Sequence, residues 1–247
     1  MKVLGIIPAR YQSSRFPGKP LVKLCGKPMI LHVLEKTEKA LGKENTYVAT
    51  DDQGIADVVI NAGYQVVMTS SNALTGTDRL FEAAQQLPAD IYINVQGDEP
   101  LLDPNDICKI RDLKLQNLDS IINGMCKLTP KEDPHNVNIP KVITDEKQRL
   151  VYMSRLAVPG FKDAKNAPQY YLKQVCIYAF TLAELKAFGE FGRKSYLEHK
   201  EDIEILRFID IGMPIMMQET SGASLAVDVE EDVAVVENAM RQAGNLS

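Results

Sequence analysis

From residue 3 to residue 95 the chain alternates short apolar runs with apolar residues at helical spacing, separated by polar turns. Residues 3–7 form a continuous apolar run, as expected of a strand covered on both faces. Met29, Ile30, Val33, Leu34 and Leu41 then recur at helical spacing, with Pro28 placed for a helix N1 position and Gly42 as the stop. Strand Thr46–Thr50, a helix over 52–61 ending at Gly63 and strand Gln65–Met68 continue the alternation. A polar loop to Gly76, a helix to about Leu87 and a strand over 90–95 complete it. Strands joined by helices of this length make right-handed βαβ units, and such units build a parallel sheet.

After Pro130 the rhythm changes. Short strands are expected over 142–144 and 150–153, then a loop with Pro and Lys over 159–169 and an apolar strand over 175–180. A capped helix follows over 181–188, and Ile203, Leu206 and Ile209 predict a second helix over 202–210. A late strand over 214–218 and a terminal helix over 230–241 end the chain, with no internal repeat and no linker. The expected class is α/β: one Rossmann-like, mostly parallel sheet across residues 1–247, with a subdomain inserted at about 140–200. A chain of 247 residues buries enough surface to need no covalent staples.

Composition excludes several classes. A net charge of −5 argues against sequence-independent nucleic-acid binding, which wants a net basic face. No apolar run approaches the ~18–20 residues of a membrane span. The opening run of about five apolar residues lacks a small-residue cleavage site and reads as a strand, not a signal peptide. Cys25, Cys108, Cys126 and Cys176 are far apart, without CxxC or a nearby His, so a reducing cytoplasm fits better than zinc or disulfides.

The most informative segment is Pro8-Ala9-Arg10-Tyr11-Gln12-Ser13-Ser14-Arg15-Phe16-Pro17-Gly18-Lys19-Pro20. It leaves the C-terminal end of the first strand, where open α/β sheets bind ligands. Arg10, Arg15, Lys19 and two serines suit a polyphosphate, although the spacing is neither a Walker A loop nor GxGxxG. The plainer alternative is a solvated basic loop. Asn94-Val95-Gln96-Gly97-Asp98-Glu99-Pro100 ends another expected buried strand, and Asp98 beside a glycine is a common holder of Mg²⁺ against phosphates. Val227-Asp228 offers a second carboxylate. Taken alone, Asp98 is equally a turn residue and Asp228 a helix cap. Thr75-Gly76-Thr77-Asp78-Arg79 reads as a capped helix start or as part of a site, and His32, His135 and His199 as packing or surface residues.

Together with Gly26-Lys27-Pro28-Met29-Ile30 and Ala49-Thr50-Asp51-Asp52, these segments resemble the 3-deoxy-manno-octulosonate (Kdo) cytidylyltransferase family. The likeness runs from residue 3 to about 240, through Ser154-Arg155, Ile177-Tyr178, Leu197-Glu198-His199 and Glu204. The resemblance implies a nucleotide-diphospho-sugar transferase fold acting as a homodimer in the cytoplasm, with the 140–200 insertion as its sugar-binding and dimerisation subdomain. It implies that CTP is held by Ala9, Arg10, Ser13, Arg15, Lys19, Thr75, Gly76, Arg79 and Gln96. Mg²⁺ would sit on Asp98 and Asp228, with Lys19, Arg10 and Asp98 catalytic. A 2-keto-3-deoxy sugar acid destined for lipopolysaccharide would meet Gln96, Arg155, Gln174, Tyr178 and Glu204.

The chain departs from the family pattern on the sugar side. Lys173-Gln174 stands where the family usually has Arg-His, and Glu204-Ile205-Leu206-Arg207 where it has Glu-Gln-Leu-Arg. Such changes alter hydrogen-bond capacity, so the activity the resemblance implies is transfer of CMP from CTP, with release of pyrophosphate, to the anomeric hydroxyl of Kdo or of a modified Kdo such as the 8-amino form. The alternatives are CMP activation of another acidic sugar, such as a nonulosonic acid, and a non-catalytic nucleotide-binding protein.

Overall fold

The computed structural model describes residues 1–13, 15–222, 224–242 and 244. Ser14, expected in the phosphate-binding segment, lies outside the described residues. In chain order, strand β1 (Val3–Ala9) is followed by a small hairpin of β2 (Lys23–Leu24) and β3 (Lys27–Pro28), then helix α1 (Met29–Leu41). Next come β4 (Thr46–Thr50), α2 (Gln53–Asn61), β5 (Gln65–Met68), α3 (Gly76–Gln86) and β6 (Ile91–Val95). Helix α4 (Pro104–Gln116) and strands β7 (Ile121–Lys127), β8 (Lys141–Thr144), β9 (Leu150–Ser154) and β10 (Leu172–Phe180) follow. Helices α5 (Leu182–Glu190), α6 (Tyr196–Glu201) and α7 (Leu206–Asp210), strand β11 (Ile215–Glu219) and helix α8 (Asp232–Gln242) complete the chain.

The main sheet runs β11-β7-β10-β6-β1-β4-β5, and β8 and β9 hang from β10 as a hairpin. Pairs β1–β4, β1–β6, β4–β5 and β7–β11 are parallel, while β10 is antiparallel to both β6 and β7. The stretch at about 140–200 therefore does not stand apart from the sheet. Its strand β10 lies in the middle, and the β8–β9 hairpin is what projects.

Both faces of the sheet are covered, which is why its strands read as unbroken apolar runs. Leu4, Ile6, Tyr92, Phe180 and Phe208 fill one face, and Ile7, Ile30, Val48, Ile93 and Ile177 the other. Each fully buried Leu, Ile or Phe contributes about 1.5–3 kcal/mol. A smaller cluster packs Val236 and Met240 of α8 against Leu24, Met29 and Val227, fixing the C-terminal segment beside the first loop.

Several boundaries differ from the sequence reading. Pro28 takes the N-cap position of α1, in extended backbone, because it also pairs with Lys23 in the small hairpin. The helix expected over 202–210 is broken: Asp202 adopts a left-handed φ of 51°, which ends α6, and α7 begins only at Leu206. The terminal helix starts at Asp232, not residue 230. Helix α4 and strand β7 were not separately expected. In α4 the buried Lys114, whose ammonium meets Glu184 at 2.7 Å, interrupts the apolar stripe that would have marked it.

Candidate active site

The loop after β1 is shaped by its own backbone. Gly18, with φ 71°, turns the chain so that its N–H reaches the Tyr11 carbonyl at 2.8 Å, and Ser13 Oγ accepts from the Phe16 N–H. This turn delivers Lys19 to the sheet edge, where its ammonium donates to Asp98 Oδ2 at 2.7 Å and lies 3.6 Å from Asp228 Oδ1. Arg15 meets the same Asp228 oxygen at 3.3 Å. The two carboxylates converge because the Val227 N–H donates to the Asp98 carbonyl, 2.9 Å away. Asp228 is not the helix cap it resembles in sequence. Asp232 accepts from the N–H groups of Asp228 and Val229 at 2.7 and 3.0 Å, leaving the Asp228 carboxylate to face Lys19.

Gly97 sits at a close approach: a Cβ there would lie 3.3 Å from the Pro8 carbonyl, tighter than ordinary contact, so a larger residue would press Asp98 away from β1. At Gly76 a Cβ would meet the Gln96 side-chain amide at 3.0 Å, a group that can swing aside. Thr75 caps α3 by accepting from the Asp78 N–H, which turns the helix N-terminus toward the same space.

The result is a cleft of about 200 Å³ at the C-terminal ends of β1 and β6. It brings together Ala9, Arg10, Ser13, Arg15, Lys19, Thr75, Gly76, Arg79, Gln96, Asp98 and Asp228. These cations do not all face it freely. Arg79 is buried and bound to Asp51 at 3.3 Å and to Thr69 Oγ1 at 2.5 Å, so it braces the ends of β4 and β5. Arg10 is exposed.

The donor set fits Mg²⁺. Asp98 and Asp228 supply hard oxygens that already converge on a cation, the Lys19 ammonium. Mg²⁺ is commonly held by one or two carboxylates with substrate oxygens completing its shell. Among the described residues no group of three or more His, Cys, Asp and Glu could form a metal cage of another kind.

The cleft opens into a wider space of about 710 Å³ that adds Arg155, Gln174, Tyr178 and Glu204. Glu204, between α6 and α7, accepts from the Thr77 N–H at 3.1 Å and from the Gln96 side chain at 3.3 Å. Burial holds its carboxyl above the ordinary range. Gln174 donates to Asn123 Oδ1 and to the Tyr178 hydroxyl, at 3.1 and 3.3 Å. Asn123 in turn donates to the Val175 and Ile177 carbonyls, which the β10 irregularity would otherwise leave bare. Arg155 donates to the carbonyls of Val137, Glu201 and Asp202.

Two of the sequence departures do not face this space. Ile205 is 1% exposed within the apolar core, so it cannot meet a ligand directly. The Lys173 ammonium is held by Glu132. Gln174 alone of the three lines the wide end.

Sequence reasoning missed the group that frames the site. Arg207 is fully buried, and its guanidinium lies 3.6 Å over the Phe188 ring. It donates to Asp78 at 2.8 and 3.2 Å, to Glu198 at 2.7 and 2.8 Å, and to the Phe188 carbonyl at 3.1 Å. All the N–H donors of a guanidinium are thereby engaged. This cross-link ties the start of α3 to α6 and α7, so Gly76 and Glu204 share one support. The signal was the pairing of Glu198 and Arg207 in quoted segments to which no role was given. Among the histidines, His32 packs with Nε2 2.9 Å from the Leu24 carbonyl, and burial lowers its pKa. Among the described residues no helix is long and apolar enough to cross a membrane.

Residues 4–215 match the family described as Cytidylyltransferase. A 3-deoxy-manno-octulosonate cytidylyltransferase of Trichlorobacter lovleyi is 39% identical, covering 98% of this chain and 100% of its own. An 8-amino-3,8-dideoxy-manno-octulosonate cytidylyltransferase of Shewanella oneidensis is 40% identical, over 94% of this chain and 96% of its own. The solved structure of a CMP:2-keto-3-deoxy-manno-octonic acid synthetase complexed with CTP superposes with a TM-score of 0.91 at 34% identity, covering 98% of this chain and 100% of that one. A Thermotoga maritima inositol-1-phosphate CTP transferase, at 17% identity and TM-score 0.71, shares the fold. The chain belongs to the cytidylyltransferase family, among the 3-deoxy-manno-octulosonate cytidylyltransferases and their 8-amino relatives.

Proposed function

We propose that the chain transfers CMP from CTP to the anomeric hydroxyl of a 3-deoxy-octulosonic acid, Kdo or a modified Kdo, releasing pyrophosphate. The observation that carries this reading is the meeting of Lys19, Arg15, Asp98 and Asp228 at the sheet edge, beside a wider polar space. The narrow end takes the nucleotide, with Arg10, Ser13, Arg15 and Lys19 on the phosphates and Ala9, Thr75, Gly76, Arg79 and Gln96 around the cytidine. The wide end takes the sugar acid on Gln96, Arg155, Gln174, Tyr178 and Glu204.

The reaction needs positioning and charge neutralisation more than covalent help. The anomeric oxygen forms its bond to the α-phosphorus as the bond to pyrophosphate breaks, and the hydroxyl proton leaves to solvent. Lys19 and Arg10 stabilise the charge that builds on the phosphate oxygens, an effect worth a few kcal/mol per well-placed donor. Mg²⁺ bound by Asp98 and Asp228 would polarise the α-phosphate and make the hydroxyl more acidic. Gln174 spends donors on Asn123 and Tyr178, which leaves its carbonyl oxygen as the group that distinguishes a substituent on the sugar. The reading includes a homodimer working in the cytoplasm to supply lipopolysaccharide synthesis. Incubation with CTP, Mg²⁺ and either Kdo or 8-amino-Kdo tests it: release of pyrophosphate with at least one is expected. Silence with both, alongside release with a sialic acid, would move the activity to another sugar class.

A further inference from the structure

Lysine is almost never fully buried without a partner carboxylate, because an unpaired ammonium loses its hydration. Lys141, at the start of β8, is 0% exposed. Its ammonium donates to two carbonyls, of Asn136 at 2.9 Å and Arg155 at 2.6 Å. Arg155 is likewise held by carbonyls: NH1 reaches Val137 and NH2 reaches Asp202, each at 2.8 Å. Among the described residues neither cation forms an ion pair with a carboxylate.

The acidic groups nearby are engaged elsewhere. Glu201 accepts from Ser154 Oγ at 2.8 Å, from the Arg155 backbone N–H at 2.9 Å and from the Tyr152 hydroxyl at 3.3 Å. Asp202 is paired with Lys194 at 2.6 Å. Asp133 and Glu201 act on Lys141 only through their fields, which burial and then the Arg155 charge outweigh, so the Lys141 pKa falls below the ordinary lysine value. Val137, Asn138, Pro140 and Arg155, the segments these bonds hold, line the wide end of the cleft. Two cations without carboxylate partners thus stand in and behind one wall of a space that receives an acid.

We propose, resting on the CMP-transfer reading, that Lys141 is a positioning residue: it pins the 136–138 loop to Arg155 and lends positive charge that no carboxylate contacts to the wall that meets the sugar's carboxylate. A buried cation that no carboxylate contacts costs stability, and the arriving anionic substrate offsets part of that cost.

Steady-state titrations of the unaltered chain, Lys141→Met and Lys141→Arg test this, using whichever of Kdo and 8-amino-Kdo the unaltered chain turns over. In Lys141→Met the sugar-acid KM is expected to rise about tenfold or more, with the CTP KM within about twofold. Its melting temperature is expected within a few degrees of the unaltered chain, since removing an unpaired buried charge offsets two bared carbonyls. Lys141→Arg is expected to recover most of the sugar-acid KM. An unchanged sugar KM in Lys141→Met would overturn the proposal. So would an equal loss for both substrates with a lowered melting temperature, or a well-folded Lys141→Arg that recovers nothing. No turnover by the unaltered chain with either sugar would instead overturn the reading beneath it.

Discussion

At the narrow end of the cleft, Lys19 lies 2.7 Å from Asp98 and 3.6 Å from Asp228, and Arg15 3.3 Å from Asp228, all in partial contact with solvent. At the wide end, Glu204, Gln174 and Arg155 are held by amides, hydroxyls and carbonyls, and the charged pairs that frame them lie out of solvent. Pairs in contact with solvent can exchange partners: Arg15, in an exposed pair worth about 0–1 kcal/mol, can turn from Asp228 to a phosphate at small cost, and Lys19 beside it is only partly buried. A buried frame cannot. The nucleotide end is built to be rearranged by its ligand and the sugar end to refuse rearrangement, which is where discrimination between similar sugars belongs.

The largest expected effect tests the buried frame. Arg207→Leu leaves Asp78 and Glu198 without their cation and should lower stability by about 3–5 kcal/mol, read by urea denaturation. If it unfolds no more readily than Lys19→Ala, the contrast between the two ends fails.

Next comes a pH effect at Glu99, buried behind Asp98. Burial, followed by the Asp98 charge, pushes the Glu99 carboxyl from 4.5 to about 7. The folded chain then keeps a proton that the unfolded chain releases. The stability this lends is complete below pH 4.5 and lost as pH rises through about 7, a change on the order of 3 kcal/mol. Glu99→Gln should flatten the loss, so that its stability above pH 7 exceeds that of the unaltered chain. An unchanged pH profile would show that Glu99 does not carry the effect.

Lys19→Ala and Asp98→Asn should each cut turnover by about a hundredfold or more while the melting temperature stays put. Turnover like that of the unaltered chain in either would remove that residue from the mechanism. The smallest effect concerns choice among sugars. Gln174→His, which restores the family's usual residue, should shift the ratio of kcat/KM for Kdo against 8-amino-Kdo by about tenfold. A constant ratio would take Gln174 out of specificity.

The same contrast explains what could be read from the chain. Arg10, Arg15, Lys19 and Asp98 lie in short contiguous segments at the ends of βαβ strands, and strand–helix alternation alone puts such loops on one edge of the sheet. Their chemistry was legible for that reason. The wide end depends on β10 entering antiparallel between β6 and β7, a placement that no local periodicity encodes. Arg207 and Lys141 are charged residues that composition sends to the surface, and only tertiary partners explain their burial. Ile205 and Gln174 looked alike as departures. The break at Asp202 and the short α7 turn Ile205 into the core, while the first half of β10, where it has left β6, presents Gln174 to the cleft.

Calorimetric titration of CTP, with Mg²⁺ and without sugar acid, into the unaltered chain, Lys19→Ala and Glu204→Gln tests the division of the cleft most directly. The expected result is a CTP affinity weakened about tenfold or more by Lys19→Ala and held within about twofold by Glu204→Gln. Equal weakening in both variants would contradict it, because the two ends would then act as one site.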